Sequence, residues 1–273
     1  MDRILIASDL SIRSERPLRR AFKLAERDGA ELTIAHIVDE DLPEEMARRM
    51  LEEGGAELGR LAASISAHPH TIRVEVGDPL TRLHEIADEI DADLLVLGRH
   101  RPRPLADMFG GTTLERLVRG GRRPILLVVD AVDHAYERPV CGLDASPACV
   151  AAAEMAAALA PGARISTFHS VHVPFRGYLA PHGSPEEIAP FLEAARREMA
   201  AWLAEAGLPE ACDPPVLTAT GLSGALSAAM ARSKADLLAV GAHGRWTLSL
   251  SSLGGFTEGL LRDPPCDMVV VRR

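Results

Sequence analysis

Aromatic residues are scarce in this chain, and it has no surplus of positive charge. Phe, Trp and Tyr together make up 4% of the 273 residues, so a stacking surface for single-stranded nucleic acid is not expected. The formal net charge of −9 argues against a broad basic face that would bind a phosphate backbone. The composition therefore predicts no nucleic-acid partner.

The chain also lacks long hydrophobic segments. Asp2 and Arg3 precede a short apolar run, which is unlike the charged and apolar regions of a secretory signal. The longest apolar stretch, 150–160, contains Glu154 and is followed by Pro161, so it is too short to span a bilayer. These features predict a cytoplasmic protein without a membrane partner.

Two kinds of catalytic motif are missing. The four cysteines form no C-x-x-C pair, the spacing typical of zinc and redox sites, and they are expected to be buried thiols. No G-x-x-x-x-G-K-[ST] motif is present, so the chain lacks the lysine that supports phosphoryl transfer in P-loop enzymes. The sequence predicts no metal site and no dedicated catalytic residue, so hydrolysis is not expected to be the main function.

The chain contains two copies of one pattern, in which short apolar runs recur in the same order. The matching segments are 3–9 with 138–144, 92–98 with 235–241, and 125–129 with 268–272. Such self-similarity over half a chain indicates a duplicated domain. We predict domains at 1–130 and 138–273, joined by a polar linker at 131–137.

Within each copy, apolar runs alternate with helical segments, which is typical of βαβ units around a parallel sheet. The predicted strands are 4–8, 32–38, 71–76, 94–98 and 125–129 in copy one, and 139–143, 164–171, 215–220, 236–241 and 268–272 in copy two. The predicted fold class is α/β, with two doubly wound, flavodoxin-like or Rossmann-like domains and five-stranded parallel sheets.

One helix of copy two has a clear start signal. Ser184 and Glu187 form a capping box around Pro185, a pattern that begins helices. The apolar residues that follow share one helical face and are interpreted as core. They are Ile188, Phe191, Leu192, Ala195, Met199, Trp202 and Leu203.

A glycine loop follows the fourth strand of copy two. It reads Gly241-Ala242-His243-Gly244, then nine residues, then Gly254-Gly255 at a helix start. Glycine lets a backbone approach a ligand, and a helix N-terminus directs N–H groups at an anion. In a doubly wound sheet this loop lies at the carboxyl ends of the strands, where ligands bind. The pattern predicts a phosphate site.

These elements together resemble the universal stress protein family in its tandem form, over nearly the whole chain. The resemblance rests on the glycine loop and on elements found once in each copy. They are Asp9 and Asp144, Ala35-His36-Ile37 and Phe168-His169-Ser170, and Gly77 and Gly221. It implies an adenine nucleotide alpha hydrolase-like fold and an internal pseudo-dimer that pairs through 125–129 and 268–271. It leaves open whether two chains form a homodimer.

The resemblance implies an adenine-nucleotide-binding protein with a regulatory role in a stress response. The ligand would be ATP, with or without Mg²⁺. A slow ATPase is a third hypothesis, which the absence of an evident catalytic base or phosphate-binding lysine disfavours. Loop glycines and Ser/Thr would hold the phosphates, while the strand-end aspartate and the backbone after the second strand would meet ribose and adenine. In copy two the implied residues are Asp144, Ser170, Gly241, His243, Gly244, Gly254, Gly255, Phe256 and Thr257. In copy one they are Asp9, Ile37, Gly98, His100, Gly111, Thr112 and Thr113.

Each copy departs from the family pattern at one position. In copy one Arg101 replaces the second glycine, which costs about 1–2 kcal/mol if the position needs a left-handed backbone. In copy two Gly255 replaces Ser/Thr, which loses one hydrogen bond of about 0.5–1.5 kcal/mol. These magnitudes favour copy two as the nucleotide site.

Three alternatives remain open at this stage. Seven arginines between Gly98 and Arg123 either hold an anion in copy one or form a solvated helix face. Asp9 and Asp144 either face a ligand or only shape turns. If both loops have lost the nucleotide, the protein would instead be an interaction scaffold.

Overall fold

A computed structural model of the chain describes residues 1–99, 113–132, 134–174, 185–242 and 254–272. The chain divides into two compact units. Unit 1 comprises Met1–Ala135 together with Leu260–Arg272, and unit 2 comprises Tyr136–Gly259. No helix within the described ranges is long and apolar enough to cross a membrane.

The strands of unit 1 form a largely parallel sheet. They are β1 (Arg3–Ala7), β2 (Glu31–Val38), β3 (His70–Val76), β4 (Leu94–Gly98), β5 (Ile125–Val128) and β10 (Asp267–Val271). Their order is β3-β2-β1-β4-β5-β10. Only the last pair of this order is antiparallel, with Met268 opposite Leu127 and Val270 opposite Ile125. The contact expected between 125–129 and 268–271 is therefore present.

The strands of unit 2 that the structure describes are all parallel. They are β6 (Pro139–Gly142), β7 (Ser166–Ser170), β8 (Val216–Thr218) and β9 (Leu237–Gly241). Their order is β9-β6-β7-β8, which repeats the order β4-β1-β2-β3 of unit 1. Each predicted strand is present with its ends shifted by a residue or two, so the α/β, doubly wound fold is confirmed.

Helices connect the parallel strands. They are α1 (Glu15–Asp28), α2 (Glu44–Ile65), α3 (Pro79–Glu89), α4 (Thr113–Gly120), α5 (Pro147–Leu159), α6 (Pro185–Ala206), α7 (Leu222–Ser233) and α8 (Gly255–Arg262). Local sequence explains several starts. The Asp78 carboxylate accepts from the N–H of Thr81 at 2.9 Å, and the Ser146 hydroxyl accepts from the N–H of Cys149 at 3.3 Å. Each of these caps precedes a proline at the first helical position.

Two left-handed backbone positions recur in both units without glycine. Leu10 (φ 57°) and Ala145 (φ 61°) follow the strand-end aspartates, while Asp91 (φ 50°) and Lys234 (φ 48°) precede β4 and β9. A left-handed residue other than glycine costs roughly 1–2 kcal/mol. The same turns are therefore imposed by the fold at matching places in each unit.

The core is built from aliphatic residues. Ile4, Leu5 and Ile6 of β1 are fully buried, since helices cover both faces of a parallel sheet. In unit 2, small residues of α5 such as Ala152 and Ala156 are fully buried. Small side chains let this helix lie close to the sheet.

Candidate functional site

A cavity of about 890 Å³ opens in unit 2 at the carboxyl ends of β6, β7 and β9. Strand β6 lies between the other two, so the strand order reverses here and a crevice forms. Helix α6, the start of α7, the first turn of α8, Cys149 of α5 and the segment 171–173 after β7 also line the cavity. The geometry is that of a ligand site at a topological switch point.

The cavity brings together residues that are far apart in the sequence. Seven of those implied for copy two line it: Asp144, Ser170, Gly241, Gly254, Gly255, Phe256 and Thr257. The other two, His243 and Gly244, lie outside the described residues. The nucleotide contacts themselves stay a prediction.

The strand-end aspartates shape turns in both units. Oδ1 of Asp144 accepts from the backbone N–H of Ser146 at 3.1 Å and from its hydroxyl at 2.6 Å. Oδ1 of Asp9 accepts from the N–H of Ser11 at 3.0 Å and from the hydroxyl of Ser14. Both carboxylates are therefore turn formers, and Asp144 also lines the cavity.

Helix α8 begins in the cavity wall. Its first hydrogen bond runs from the N–H of Glu258 to the carbonyl of Gly254 at 3.0 Å. The N–H groups of the first turn have no partner inside the helix, and the helix dipole makes this end partially positive. A Cβ added to Gly255 would meet no described atom within 4 Å. This helix start can therefore accept an anion from the cavity.

The first glycine of each loop has a packing role that sequence reasoning missed. A Cβ on Gly241 would lie 2.9 Å from Cβ of Ala148 in α5, and one on Gly98 would lie 3.0 Å from Cγ of Pro17 in α1. Each strand end thus has a helix packed directly behind it. These glycines are explained by that contact, whereas the sequence pattern attributed them to phosphate approach.

One wall of the cavity is apolar and comes partly from α6. The expectation that the apolar face of this helix lies in the core is only partly right. Met199 is buried, whereas Phe191 and Ala195 line the cavity, because the N-terminal half of α6 passes over the strand ends. Phe168, Phe191 and Phe256 all line the cavity. These three phenylalanines are far apart in the sequence, so no local pattern marked this wall.

A thiol also lines the cavity. Sγ of Cys149 donates to the carbonyl of Ser146 at 3.1 Å, and burial raises the pKa of this thiol. It therefore stays protonated and unreactive. Among the residues that the structure describes, no group of three or more His, Cys, Asp or Glu could hold a metal ion.

The equivalent region of unit 1 is packed differently. A Cβ on Gly54 of α2 would lie 3.3 Å from the His36 ring and 3.6 Å from Cδ1 of Leu10, so the helix rests directly on the end of β2. In unit 2 the smaller Ala145 follows the aspartate. Helices α2 and α6 have the same length, and the eleventh residue is Gly54 in α2 and Ala195 in α6. Ala195 lines the cavity.

The residues implied for copy one are spread around this packed region. Asp9 is exposed after β1, Ile37 is half-buried in β2, and Gly98 ends β4. Thr113 begins α4. His100, Gly111 and Thr112 lie outside the described residues.

Part of the arginine-rich segment of copy one is engaged in ion pairs. Arg123 meets Asp91 at 2.9 Å and Asp88 at 3.3 Å, and Arg99 meets Asp263 at 3.4 Å. A guanidinium already paired with carboxylates is a weaker anion site. These contacts favour the solvated-face interpretation for both arginines.

The doubly wound sheets and the crevice at the strand ends of unit 2 define the class, a doubly wound α/β protein. The model of the Universal stress protein family matches residues 1–129 and 135–272. The chain belongs to the universal stress protein family, with two family segments in tandem.

Solved structures share this fold. A universal stress protein from Archaeoglobus fulgidus DSM 4304 aligns over 100% of this chain and 96% of its own, with 16% identity and a TM-score of 0.69. One from Pseudomonas aeruginosa UCBPP-PA14 aligns over 99% and 93%, with 17% identity and a TM-score of 0.63. A universal stress protein in complex with cAMP aligns over 46% and 95%, with 27% identity and a TM-score of 0.40. A search of curated protein sequences found no match.

Proposed function

We propose that this protein binds an adenine nucleotide, ATP, in the cavity of unit 2 and acts as a regulatory stress protein rather than as an enzyme. One observation carries the proposal. Seven residues implied for nucleotide binding, spread from Asp144 to Thr257, line a single cavity that contains a helix N-terminus. Such a crevice is where doubly wound proteins hold nucleotides.

The chemistry of the walls supports an orientation for the ligand. The phosphates would lie at the first turn of α8, where N–H groups and the helix dipole favour negative charge. Asp144 would accept from ribose hydroxyls, and the base would lie beyond Ser170 against the apolar wall. The described lining carries the carboxylates of Asp144 and Glu198 but no Lys or Arg. Mg²⁺ on the phosphates would reduce repulsion from these two carboxylates.

The packing of unit 1 supports a single site. Leu10 and the His36 ring lie against α2 at Gly54, where unit 2 has its cavity wall. Arg101 also replaces a loop glycine of copy one. We therefore propose one nucleotide for each chain.

The test is calorimetric titration of the purified full chain with MgATP, ADP, AMP, cAMP and GTP. The expected result is one site with a preference for adenine nucleotides. Mass spectrometry of the native protein should also detect retained adenine nucleotide. If the titration shows no binding and the native protein retains no nucleotide, the proposal is wrong and the interaction scaffold is the remaining hypothesis. Steady release of phosphate from ATP would instead identify a slow ATPase.

A matched pair of variants locates the site. Asp144→Asn keeps an amide oxygen that can accept hydrogen bonds but removes the negative charge. Affinity should therefore fall by about 3- to 10-fold, as expected when a charge-assisted hydrogen bond becomes a neutral one. Asp9→Asn makes the same change in unit 1 and should leave affinity unchanged. The opposite pattern would move the site to unit 1.

A further inference from the structure

Each unit carries a histidine at the same place in its second strand, and both rings are anchored in the same way. Nδ1 of His36 lies 2.8 Å from the carbonyl of Ser8, and Nδ1 of His169 lies 2.7 Å from the carbonyl of Leu143. A carbonyl can only accept, so Nδ1 carries the hydrogen in both rings. In the neutral ring Nε2 is then a hydrogen-bond acceptor.

The two Nε2 atoms have different surroundings. His36 is 5% exposed, and its Nε2 is buried without a hydrogen-bond partner among the described residues. Leu10 and Gly54 close over that ring. His169 is half-buried and lines the cavity. Its Nε2 also has no partner in the described part of the chain, but it is not sealed from the cavity.

We propose that Nε2 of His169 is a specificity-determining acceptor, which receives a hydrogen bond from the nucleotide bound in unit 2. This inference rests on the proposed function and adds a residue that is not among those implied for nucleotide binding. An acceptor covered by a ligand and left unpaired would weaken binding. The ligand atom above this nitrogen must therefore carry a hydrogen.

The chemistry of ATP restricts which group that is. At neutral pH its phosphates only accept, so its donors are the ribose hydroxyls and the exocyclic amino group of adenine. His169 therefore reads the sugar or the base and not the phosphate chain. His169 lies on β7, and β6 separates this strand from β9, the strand that precedes α8 in the chain.

The first test uses a substitution that keeps the anchor and removes the acceptor. In His169→Asn the side-chain amide can still donate to the carbonyl of Leu143, but nothing replaces Nε2. We expect the Kd for MgATP to rise by about 2- to 10-fold, as for the loss of one hydrogen bond. His36→Asn is the matched control in unit 1, and its Kd should equal that of the wild type.

The second test uses the wild-type chain and altered ligands, so it does not depend on how the variant folds. Titrations with 2′-deoxy-ATP, 3′-deoxy-ATP and purine riboside 5′-triphosphate each remove one donor group: the 2′-hydroxyl, the 3′-hydroxyl or the exocyclic amino group. The ligand that lacks the partner of His169 should bind the wild type more weakly than ATP. The Kd of that ligand should also be the same for the wild type and His169→Asn, because the hydrogen bond cannot form in either complex. This equality identifies the donor group that His169 contacts.

The outcomes separate this inference from the proposed function. If ATP binds but His169→Asn and all three altered ligands bind with the wild-type Kd for ATP, the inference is wrong and nucleotide binding stands. If the two histidine variants weaken binding equally, the effect comes from the fold and the inference is also wrong. If no nucleotide binds the wild type, both proposals fall.

Discussion

Three glycines at the cavity of unit 2 serve different purposes. Gly241 leaves room for α5, since a Cβ would lie 2.9 Å from Ala148, while Gly254 and Gly255 have no described atom within 4 Å of an added Cβ. Neither Gly254 nor Gly255 has a left-handed backbone. A side chain can therefore be added at the helix start without strain, but not at the strand end.

Gly255→Ser should strengthen nucleotide binding, because it supplies the hydroxyl that the family pattern has at this position. One added hydrogen bond of about 0.5–1.5 kcal/mol lowers the Kd by about 2- to 10-fold. Calorimetric titration with MgATP measures the change. Gly255→Ala is the control, since it adds a Cβ without a donor, and equal gains in both variants would contradict the hydrogen-bond explanation.

At the scale of elements, α5 packs closely against the end of β9, which forms part of the cavity wall. Gly241→Ala should lower the free energy of unfolding by about 1–3 kcal/mol, because Ala148 and the α5 backbone must shift. A Cβ added to Gly259 in α8 would meet no described atom within 4 Å. Gly259→Ala should therefore raise the free energy of unfolding by about 0.5–1 kcal/mol. Urea unfolding of both variants measures these changes in stability. If Gly241→Ala does not lower the free energy of unfolding, α5 can shift without a loss of stability.

The strands and helices were largely predictable, because apolar runs and caps such as Ser146 are local signals. The left-handed turns at Leu10 and Ala145 were not, since neither residue prefers that conformation. The role of α6 was predicted only in part. Its apolar spacing resembles that of a core helix, but whether Phe191 meets the sheet or a cavity depends on how far the helix extends past the strand ends.

At the scale of the molecule, the last strand of the chain belongs to unit 1. A buried ion pair helps to hold it there. Arg20 of α1 lies 3.6 Å from Asp267 of β10, and both residues are almost fully buried. Oδ1 of Asp267 also accepts from the N–H groups of Val129 and Asp130 at 2.7 and 2.9 Å. The domain limits inferred from the sequence, 1–130 and 138–273, stay a prediction.

Removing either partner of this pair should be costly. Arg20→Met or Asp267→Asn leaves a buried charge without its counter-charge, which lowers the free energy of unfolding by about 3–5 kcal/mol. The double variant should lose less than the two single losses combined. Urea unfolding of the wild type, the two single variants and the double variant gives a double-mutant cycle. If the two single losses add up to the loss in the double variant, the two charges do not interact.

The neighbouring Asp130 should make stability depend on pH. Burial, and then the charge of Asp267, raise the pKa of Asp130, so the folded state binds a proton more tightly than the unfolded state. This carboxylate is therefore destabilising once the pH exceeds its raised pKa. Asp130→Asn should raise the melting temperature at pH 7, and the gain should shrink as the pH falls through the raised pKa and vanish below the usual aspartate pKa of about 4.

Asp91 provides the control of opposite sign. The hydrogen bond from Arg123, followed by the charge of Arg3, lowers the pKa of Asp91, so its contribution to stability is present above the usual aspartate pKa and is lost as the pH falls. Asp91→Asn should lower the melting temperature at pH 7 and have less effect in acid. Thermal unfolding from pH 3 to pH 7 compares both variants, and parallel curves would contradict the assigned pKa shifts.

The sequence by itself determined the duplication, the order of strands and helices and the family, because repeated local patterns record these directly. It also indicated which residues would meet in a crevice, since the carboxyl ends of parallel strands share one edge of a sheet. Only the tertiary structure decided that unit 2 has an open cavity while α2 closes on Leu10 and His36 in unit 1. The separation of a helix from a sheet depends on side chains that are distant in the chain, and no local pattern records it.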